Sequence, residues 1–282
     1  MKNNNLISIV IPCYNDVQYI RQSVNSALNQ TYPNKEIIIV DDGSNDETKK
    51  VLKTIEPKIT KLITQENKGQ STARNVGIRE AKGEYILVLD SDDFFEPSFC
   101  DKATVLFSVD NLVKIVTCFT NRIFENNKTD IFKPRGGKID AFLLNNCAMG
   151  SSMFRKSDWE KVSGYNEEMR RGFEDWEFYI RLLKEEGVAY VIPEPLFNYR
   201  VKENSTTTKA NKIKYTLLRE IYLKHKDLYI SHYEEFIIHL LSKIEREEKE
   251  KIKNLHRIEY RIGIIVLKPL RWVKKIFKIK KL

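Results

Sequence analysis

The sequence predicts an α/β domain, built on a mostly parallel sheet with helices on both faces, followed by a helical extension. Continuous apolar runs of strand length alternate with helix-like patterns over the first hundred residues, as in sheets covered on both faces. From about residue 209 onward the pattern is helical and highly charged. Of the 282 residues, 41% are hydrophobic and 31% charged, which is typical of globular proteins and excludes a disordered or collagen-like chain.

The first hundred residues are expected to alternate strands and helices. Apolar runs predict strands at 6–11, 36–40, 59–64 and 85–89. Helical spacing predicts helices at about 17–28, 44–55 and 71–81. Ser44 and Glu47 have the spacing of a capping box, so Ser44 is expected to begin the second helix, and Pro97 suits the first turn of a later one.

The pattern is less regular beyond residue 110. Residues 110–155 are rich in strand-like runs, and a helix is predicted to begin near Phe173. A strand is expected at 188–192, ended by the proline that follows it. We place a domain boundary near residue 208, which separates a core of residues 1–208 from a basic helical extension of residues 209–282.

The net charge of +9 is concentrated at one end of the chain. Residues 249–282 carry a net charge of +10, whereas the rest of the chain carries −1. A near-neutral body of this kind argues against nucleic acid as a partner. The four cysteines show no CxxC or zinc spacing, no signal peptide is visible, and the longest aliphatic run, 264–267, is far shorter than a membrane span. A reducing, cytoplasmic location is therefore expected.

Acidic residues follow two of the predicted strands, at the edge where open parallel sheets bind their ligands. Asp41 and Asp42 follow the second strand, and Asp90, Asp92 and Asp93 follow the fourth. Five crowded carboxylates repel one another unless a cation neutralises them, and oxygen ligands of this kind select Mg²⁺ or Mn²⁺. The alternative is that these acids cap helices or lie in solvated loops.

Other phosphate-binding motifs are missing from the sequence. It contains no GxGxxG and no GxxxxGK[ST], so neither a dinucleotide-binding Rossmann site nor a P-loop is supported. A phosphate group would then be held by the metal, assisted by basic residues such as Arg74 or Lys68. The alternatives are a solvated Lys68 at a loop tip and an Arg74 that does not contact the ligand.

Several short segments follow one another in a characteristic order. They are Ser8–Asn15, Val40–Ser44, Asn67–Gly69, Ala73–Gly77, Gly83–Tyr85 and Leu89–Asp93. In order and spacing they resemble the inverting family 2 glycosyltransferases over about residues 6–205. The resemblance implies the GT-A fold and a nucleotide-sugar donor, with a nucleotide half at about residues 1–108 and an acceptor half at about 109–208.

The resemblance also implies roles for the residues at the strand ends. Pro12 and Tyr14 match the strand end that packs on the base and ribose of the donor, and Asp42 matches the acid that reads the base edge. Asp90 and Asp92 match the two acids of the Asp-x-Asp motif.

The metal ligands and the phosphate contact follow from the same resemblance. Asp92 is the acid that usually binds the metal, Asp90 assists it and contacts the donor, and Asp93 shares the metal. Residues 198–208 are similar to the closing loop of the family, where Arg200 is the expected phosphate contact, and Arg74 is a second candidate.

A carboxylate is expected to act as the catalytic base. All four histidines lie in the helical extension, at His225, His232, His239 and His256. Glu174 and Asp175 stand at a predicted helix start, and the second acid of this pair is similar to the base of the family, which implies Asp175. Burial beside Phe173 and Trp176 is expected to raise its pKa. The alternative is that both acids only favour a helix N-terminus.

The expected activity is the transfer of a sugar, with inversion, from a nucleotide sugar (UDP by family frequency) to an acceptor hydroxyl in a bacterial surface polysaccharide. A nucleotidyltransferase is one alternative, but the Gly-rich basic loop that such enzymes carry near the first strand is absent from the sequence. A non-catalytic sugar-nucleotide or partner-binding module is another, and the complete set of acids argues against it.

The end of the chain has the pattern of a helix lying on a membrane surface. Apolar Leu270, Val273, Ile276 and Phe277 share one helical face, and basic residues crowd the others. This pattern predicts attachment to an anionic membrane at its cytoplasmic face and favours a saccharide or lipid-linked saccharide as the acceptor. The alternative is a solvated helix packed on the body or on a second subunit.

Overall fold

The computed structural model describes residues 5–203, 205–260, 262–267 and 269. Its contacts divide the chain into two units, Met1–Leu228 and Tyr229–Leu282. The first unit contains the sheet and the helices that cover it, and the described part of the second is helical. Within the described residues, each helix is too short or too polar to span a lipid bilayer.

Nine strands among the described residues form one mixed sheet. The strands are β1 (Ile7–Cys13), β2 (Lys35–Asp42), β3 (Lys61–Gln65), β4 (Tyr85–Val88), β5 (Phe94–Phe95), β6 (Val113–Phe124), β7 (Thr129–Phe132), β8 (Met153–Arg155) and β9 (Val188–Val201). Their order is β3-β2-β1-β4-β8-β6-β9-β5, with β7 paired to β6. The neighbours among β1 to β4 run parallel, β8 is antiparallel to both β4 and β6, and β6 is parallel to β9.

Helices connect and cover these strands. In the first unit they are α1 (Ile20–Leu28), α2 (Asp46–Ile55), α3 (Gln70–Glu80), α4 (Phe99–Val109), α5 (Ile139–Leu144), α6 (Lys156–Lys161), α7 (Glu174–Leu183), α8 (Thr206–Lys212) and α9 (Lys214–Lys224). Then α10 (Lys226–Ser231) crosses the division between the units, and α11 (Tyr233–Leu255) follows. The α/β architecture and the helical C-terminal region are confirmed.

The strands predicted from apolar runs form the centre of the core. Every residue of β1 and β4 is buried, as are all residues of β2 after Lys35. Burying one such aliphatic side chain contributes about 1.5–3 kcal/mol, so these strands stabilise the domain strongly. The buried Ala210, Leu217 and Ile221 anchor α8 and α9 in the first unit. The domain boundary near residue 208 stays a prediction from the sequence pattern.

Helix α3 lies very close to the sheet because it carries a glycine at the contact. A Cβ atom added to Gly77 would lie 2.5 Å from Cγ1 of Val10 and 3.1 Å from Cγ2 of Val40. A larger residue would therefore push α3 away from β1 and β2. The same helix carries Arg74, so this packing sets the position of an important side chain of the site.

Two local predictions are wrong. Ser44 does not begin α2: the N-cap is Asn45, whose side chain accepts a hydrogen bond from the Thr48 N–H (2.9 Å), while the Ser44 hydroxyl accepts one from the Asn15 N–H (3.0 Å). Strand β9 does not end at Pro193 but continues to Val201. Its pairing with β6 shifts register around the prolines, and such irregularities are where a sheet tolerates a residue without an N–H.

Candidate active site

A cavity of about 440 Å³ lies in the first unit. Its lining includes the loop after β4, the start of α7, and the end of β9 with the first residues of α8, together with residues of α3, of β6 and β7, and of the loop at 146–150. The lining includes six of the residues expected in the site: Arg74, Asp90, Asp92, Asp93, Asp175 and Arg200. The structure thus brings together acids and bases that are far apart in the sequence.

Arg74 joins the two acidic segments. Its guanidinium donates from Nη2 to Oδ1 of Asp90 and from Nη1 to Oε1 of Glu174, both at 2.8 Å. The side chain is 1% exposed and also lies over the Tyr165 ring, 5.3 Å from its centroid. Burial alone would lower the pKa of Arg74, but the Asp90 and Glu174 carboxylates raise it well above its ordinary value. A permanent buried cation therefore holds α3, the loop after β4 and α7 together.

Asp175 is held in the first turn of α7. Its Oδ2 accepts a hydrogen bond from the Asn146 amide (2.9 Å), and its Oδ1 accepts one from the Trp176 N–H (2.8 Å). Burial raises the pKa of Asp175, although Arg74 and these two donors oppose the shift. A Cβ on Gly150 would lie 3.2 Å from Oδ2, so the glycine leaves room beside this carboxylate. A carboxylate with a raised pKa at a cavity wall is suited to accept a proton.

Helix α7 begins with an unusual backbone. Gly172 and Phe173 both have positive φ angles, +113° and +65°. Few residues other than glycine adopt this region without strain, and strained backbone is concentrated at functional sites. The turn sends Glu174 toward Arg74, where burial raises the Glu174 pKa, and leaves Asp175 at the cavity.

The acids after β4 differ in their surroundings. Asp90 accepts hydrogen bonds from Arg74 and from the Gln70 amide (3.0 Å). Asp93 is 1% exposed and accepts the Arg200 N–H (2.8 Å), and its pKa is raised well above the ordinary value by burial and by Asp92 and Asp90. Asp92 is 30% exposed, and its Oδ2 lies 2.8 Å from Nζ of Lys202.

Arg200 fastens the end of β9 to the loop after β4. Its guanidinium donates to the Asp92 carbonyl and to Oε1 of Gln22 (2.6 Å), and it lies 4.4 Å from the centroid of the Tyr19 ring. The Tyr199 hydroxyl reaches Thr207 Oγ1 at 3.1 Å, which connects β9 to α8. The segment expected to close over the donor therefore borders the cavity, and a phosphate contact by Arg200 stays a prediction.

Two of the five carboxylates expected at this edge of the sheet lie outside the cavity, although β2 and β4 both run parallel to β1 and end at the same edge. Asp41 and Asp42 are not among the residues that line the cavity. Asp41 Oδ1 accepts the Ser44 N–H (2.9 Å). Asp42 accepts the Lys68 and Gly69 N–H groups (2.8 and 2.9 Å) and the Gln65 amide (2.7 Å). These two acids therefore accept hydrogen bonds from the backbone of nearby turns, and Asp42 also accepts one from a glutamine side chain.

The residues expected to pack on the nucleotide lie elsewhere on the strand ends. Pro12 is a buried residue of β1, paired with Val40, and does not line the cavity. Tyr14 is 53% exposed. An exposed aromatic ring next to a sheet edge is suited to stacking on a base. The nucleotide roles of Pro12, Tyr14 and Asp42 stay predictions.

The site's fit to a divalent ion rests on Asp92. Within the described part of the chain, no group of three or more acids, cysteines or histidines is arranged to hold a metal. The Lys202 ammonium nonetheless contacts Asp92, so a cation already stands against this partly exposed carboxylate. The oxygens of the Asp92 carboxylate are hard ligands that suit Mg²⁺ or Mn²⁺. A phosphate group or water would supply the remaining ligands. Asp92 therefore fits such an ion, whereas Asp90 and Asp93 are already committed to Arg74 and Arg200.

Several contributors to the site were missed in the sequence. Lys202 lies two residues after Arg200, and in an extended chain this spacing places both side chains on the same face. This spacing could have indicated Lys202 as a second cation near the site. Asn146 and Gln22 gave none, because their roles depend on contacts between distant segments. The sequence indicates Glu174 only as a candidate base or a helix-terminal acid, whereas the structure shows it as a partner of Arg74.

Glu177 on α7 is a buried carboxylate at the centre of several ion pairs. It pairs with Arg181 (2.8 Å), as its spacing predicts, and also with Lys224 (3.0 Å) and His225 (3.1 Å). Burial would raise the pKa of Glu177, but hydrogen bonds from His225 and Arg181 and the charge of Lys224 lower it to about 2. His225 therefore packs the end of α9 on α7.

Comparison with known proteins identifies the family of this chain. The family profile described as Glycosyl transferase family 2 matches residues 8–162, and a profile described as the N-terminal domain of galactosyltransferase matches residues 142–204. An uncharacterized glycosyltransferase of Rickettsia typhi is 34% identical over 222 residues, which cover 74% of this chain and 69% of that protein. The chain belongs to glycosyltransferase family 2.

Two further relatives have descriptive names. A putative teichuronic acid biosynthesis glycosyltransferase, TuaG of Bacillus subtilis, is 30% identical over 230 residues, which cover 78% of this chain and 90% of TuaG. Chondroitin synthase of Escherichia coli is 35% identical over 189 residues, which cover 64% of this chain but only 27% of that protein. The chain is thus related to enzymes of polysaccharide biosynthesis.

Solved structures share the fold. S. aureus TarS 1-349 in complex with UDP-GlcNAc superposes with a TM-score of 0.61 at 20% identity, covering 72% of this chain and 61% of that one. The mannosyltransferase PcManGT from Pyrobaculum calidifontis, in complex with GDP-Man and Mn²⁺, gives 0.59 at 16% identity, covering 91% and 82%. The GT-A fold implied by the motifs is confirmed.

Proposed function

We propose that this glycosyltransferase transfers one sugar from a UDP-sugar to an acceptor hydroxyl with inversion, in the synthesis of a bacterial surface polysaccharide. One observation carries the proposal: Asp175, whose pKa burial raises, lies in the wall of the same cavity as Asp90, Asp92 and Asp93. The relationship to TuaG and chondroitin synthase supports a polysaccharide product.

Asp175 acts as the general base in this reaction. The acceptor oxygen forms a bond to the anomeric carbon while the bond from that carbon to the diphosphate oxygen breaks on the opposite side. The acceptor proton passes to the Asp175 carboxylate, whose Oδ2 is oriented by Asn146. Its raised pKa makes it a better proton acceptor than an exposed aspartate, provided that it is ionised at the working pH.

Cations at the other side of the cavity stabilise the leaving diphosphate. Arg200 borders the cavity, Lys202 contacts Asp92 in its wall, and Arg74 keeps Asp90 and Glu174 in place. Mg²⁺ or Mn²⁺, when bound, supplies positive charge for the developing diphosphate, and Asp92 would hold it with Asp90 and Asp93 nearby. Pro12, Tyr14 and Asp42 hold the nucleotide.

A nucleotide-release assay tests the proposal. The protein is incubated with a panel of nucleotide sugars, Mn²⁺ and saccharide acceptors, and released nucleotide is measured. We expect UDP from at least one UDP-sugar, together with a product of inverted anomeric configuration. Release of pyrophosphate from UTP and a sugar phosphate would indicate a nucleotidyltransferase, and release of nothing would indicate a binding module.

We further propose that the basic end of the chain attaches the protein to the cytoplasmic face of an anionic membrane, where a lipid-linked saccharide is the acceptor. The apolar face of this predicted helix, from Leu270 to Phe277, lies outside the described residues. Each basic residue near such a surface contributes about 1 kcal/mol. Deletion of residues 270–282 should abolish sedimentation with anionic vesicles, and equal sedimentation of both forms would contradict the attachment.

A further inference from the structure

Helix α11 carries exposed apolar side chains along one side. Leu241 and Ile244 are 60% and 54% exposed, and Leu255 is 43% exposed. The chain is helical again at 258–260 and 262–267, where Ile258 and Ile262 are 71% and 55% exposed. Amphipathic helices gain most of their stability from burying such a face, so these side chains indicate a docking surface.

The apolar residues follow a heptad repeat. One core position of the repeat is occupied by Leu241, Glu248, Leu255 and Ile262, and the other by Ile237, Ile244, Lys251, Ile258 and Ile265. Such a repeat forms a seam that packs against another helix with the same repeat. The two charged residues, Glu248 and Lys251, stand three residues apart at the centre of the seam, and each is four residues from the nearest apolar position of the seam, Ile244 or Leu255.

We propose that two copies of this chain pair through this seam, with their helices antiparallel. A two-fold axis between residues 249 and 250 places Glu248 of each copy opposite Lys251 of the other. The same register pairs Ile244 with Leu255 within α11. Beyond the turn at residues 256–257, it places Leu241 opposite Ile258 and the half-buried Ile237 opposite Ile262. A single alignment therefore places the apolar side chains from Ile237 to Ile262 against one another and neutralises both central charges, as a self-complementary two-fold contact requires. Ile265 lies beyond this paired stretch, opposite Glu234.

The charges outside the seam favour the same orientation. Residues 233–248 carry a net charge of −3 and residues 249–267 a net charge of +3. Antiparallel helices place the acidic half of one copy beside the basic half of the other, whereas parallel helices place like charges together. A parallel pair would also bring Glu248 against Glu248 and Lys251 against Lys251.

The central charges also favour a second copy over a lipid surface. A membrane-bound helix keeps charged residues out of its apolar face. Glu248 lies in the middle of this seam. On a lipid surface, no neighbouring helix would supply a cation to pair with it. A second copy supplies that partner as Lys251.

The test measures the mass of the full chain by sedimentation equilibrium, at moderate salt and over a range of concentrations. The wild type should form dimers. Glu248→Lys and Lys251→Glu should each raise the dissociation constant at least tenfold, because each places like charges together. The double variant should dimerise like the wild type, and an equimolar mixture of the two single variants should form a heterodimer.

Glu250→Lys is the matched control, because it makes the same charge change on the side of the helix away from the seam. It should dimerise like the wild type. The thermal unfolding of the sheet-containing unit verifies that each variant is folded. A monomeric wild type, a dimer insensitive to both single changes, or a double variant that is not restored would overturn the proposal. Vesicle binding by a monomer that requires Leu241 and Ile244 would likewise overturn it and indicate a lipid surface.

Discussion

Arg74 shows how one residue can organise a site built from distant segments. Its two terminal nitrogens bind carboxylates that lie 16 and 100 residues away along the chain. The sequence placed Arg74 near the donor phosphates, but the structure shows its guanidinium occupied by Asp90 and Glu174. A buried cation between two acids fixes the distance between the donor side and the base side of the cavity.

Replacement of Arg74 by methionine should strongly destabilise the protein. Removing one partner leaves Glu174 buried without its cation, which costs about 3–5 kcal/mol in the free energy of unfolding. Arg79→Met is the control on the same helix, because Arg79 and Glu167 form an exposed pair worth at most about 1 kcal/mol. Urea denaturation measures both. Equal losses for the two variants would contradict this role of Arg74.

Asn146 tunes the proposed base. Its amide donates to Asp175 Oδ2 and so lowers the pKa that burial raises. Asn146→Ala should raise the Asp175 pKa, and the acidic limb of the kcat profile should move to higher pH because the base must be ionised. Asn145→Ala, at the exposed neighbouring position, should leave the limb in place. A limb that stays in place or moves to lower pH in Asn146→Ala would show that this hydrogen bond does not tune the base.

At the scale of elements, the predictions succeeded where burial alone determines the structure. Strands β1, β2 and β4 are buried throughout or nearly so, and each gave a continuous apolar run. The sequence predicts an end of β9 that is too early, because prolines usually end strands. In the structure these prolines lie at irregularities in the pairing with β6, which the sequence of β9 alone does not show. The sequence predicts Ser44 at the start of α2, but its hydroxyl accepts a hydrogen bond from Asn15 in another loop. A contact between two loops leaves no local signal in the sequence.

The docking of α9 on α7 should depend on pH through Glu177. Its pKa of about 2 lies below the ordinary value of 4.5, so its ion pairs stabilise the folded state above about pH 4.5. This stabilisation is lost as the pH falls toward 2. Glu177→Gln should lower the free energy of unfolding at pH 7 by about 3 kcal/mol and should flatten its dependence on pH across this range. Denaturation at several pH values measures it, and an unchanged profile would contradict the ion-pair role.

The loop after β4 and the end of β9 should respond to a divalent ion through Asp92. Asp92→Ala should weaken UDP binding at least tenfold in the presence of Mn²⁺ and change it little with chelator, because only the metal-assisted contact is lost. Asp110→Ala, at an exposed position outside the cavity lining, should bind like the wild type. Calorimetry measures both. An equal loss with and without Mn²⁺ would show that Asp92 contributes without a metal.

At the scale of the whole molecule, the sequence motifs predicted the fold and the segments that form the site. They did not predict which acids share a cavity, because Asp41 and Asp42 accept hydrogen bonds from the backbone of nearby turns, and these contacts form only in the folded chain. Nor did they reveal that the cavity lies between the loop after β4 and the start of α7, which only packing brings together. The order of segments identifies a family, whereas tertiary contacts determine the roles of its residues.

The Asp175→Asn variant tests the central claim, that Asp175 is the general base of a sugar transfer, most directly. With a matched Asp140→Asn control at an exposed position, turnover and UDP-sugar binding are measured on the same preparations. The account predicts donor binding near that of the wild type and a kcat lower by about 10²-fold or more, as for the loss of a general base. An unchanged kcat with intact donor binding would contradict it.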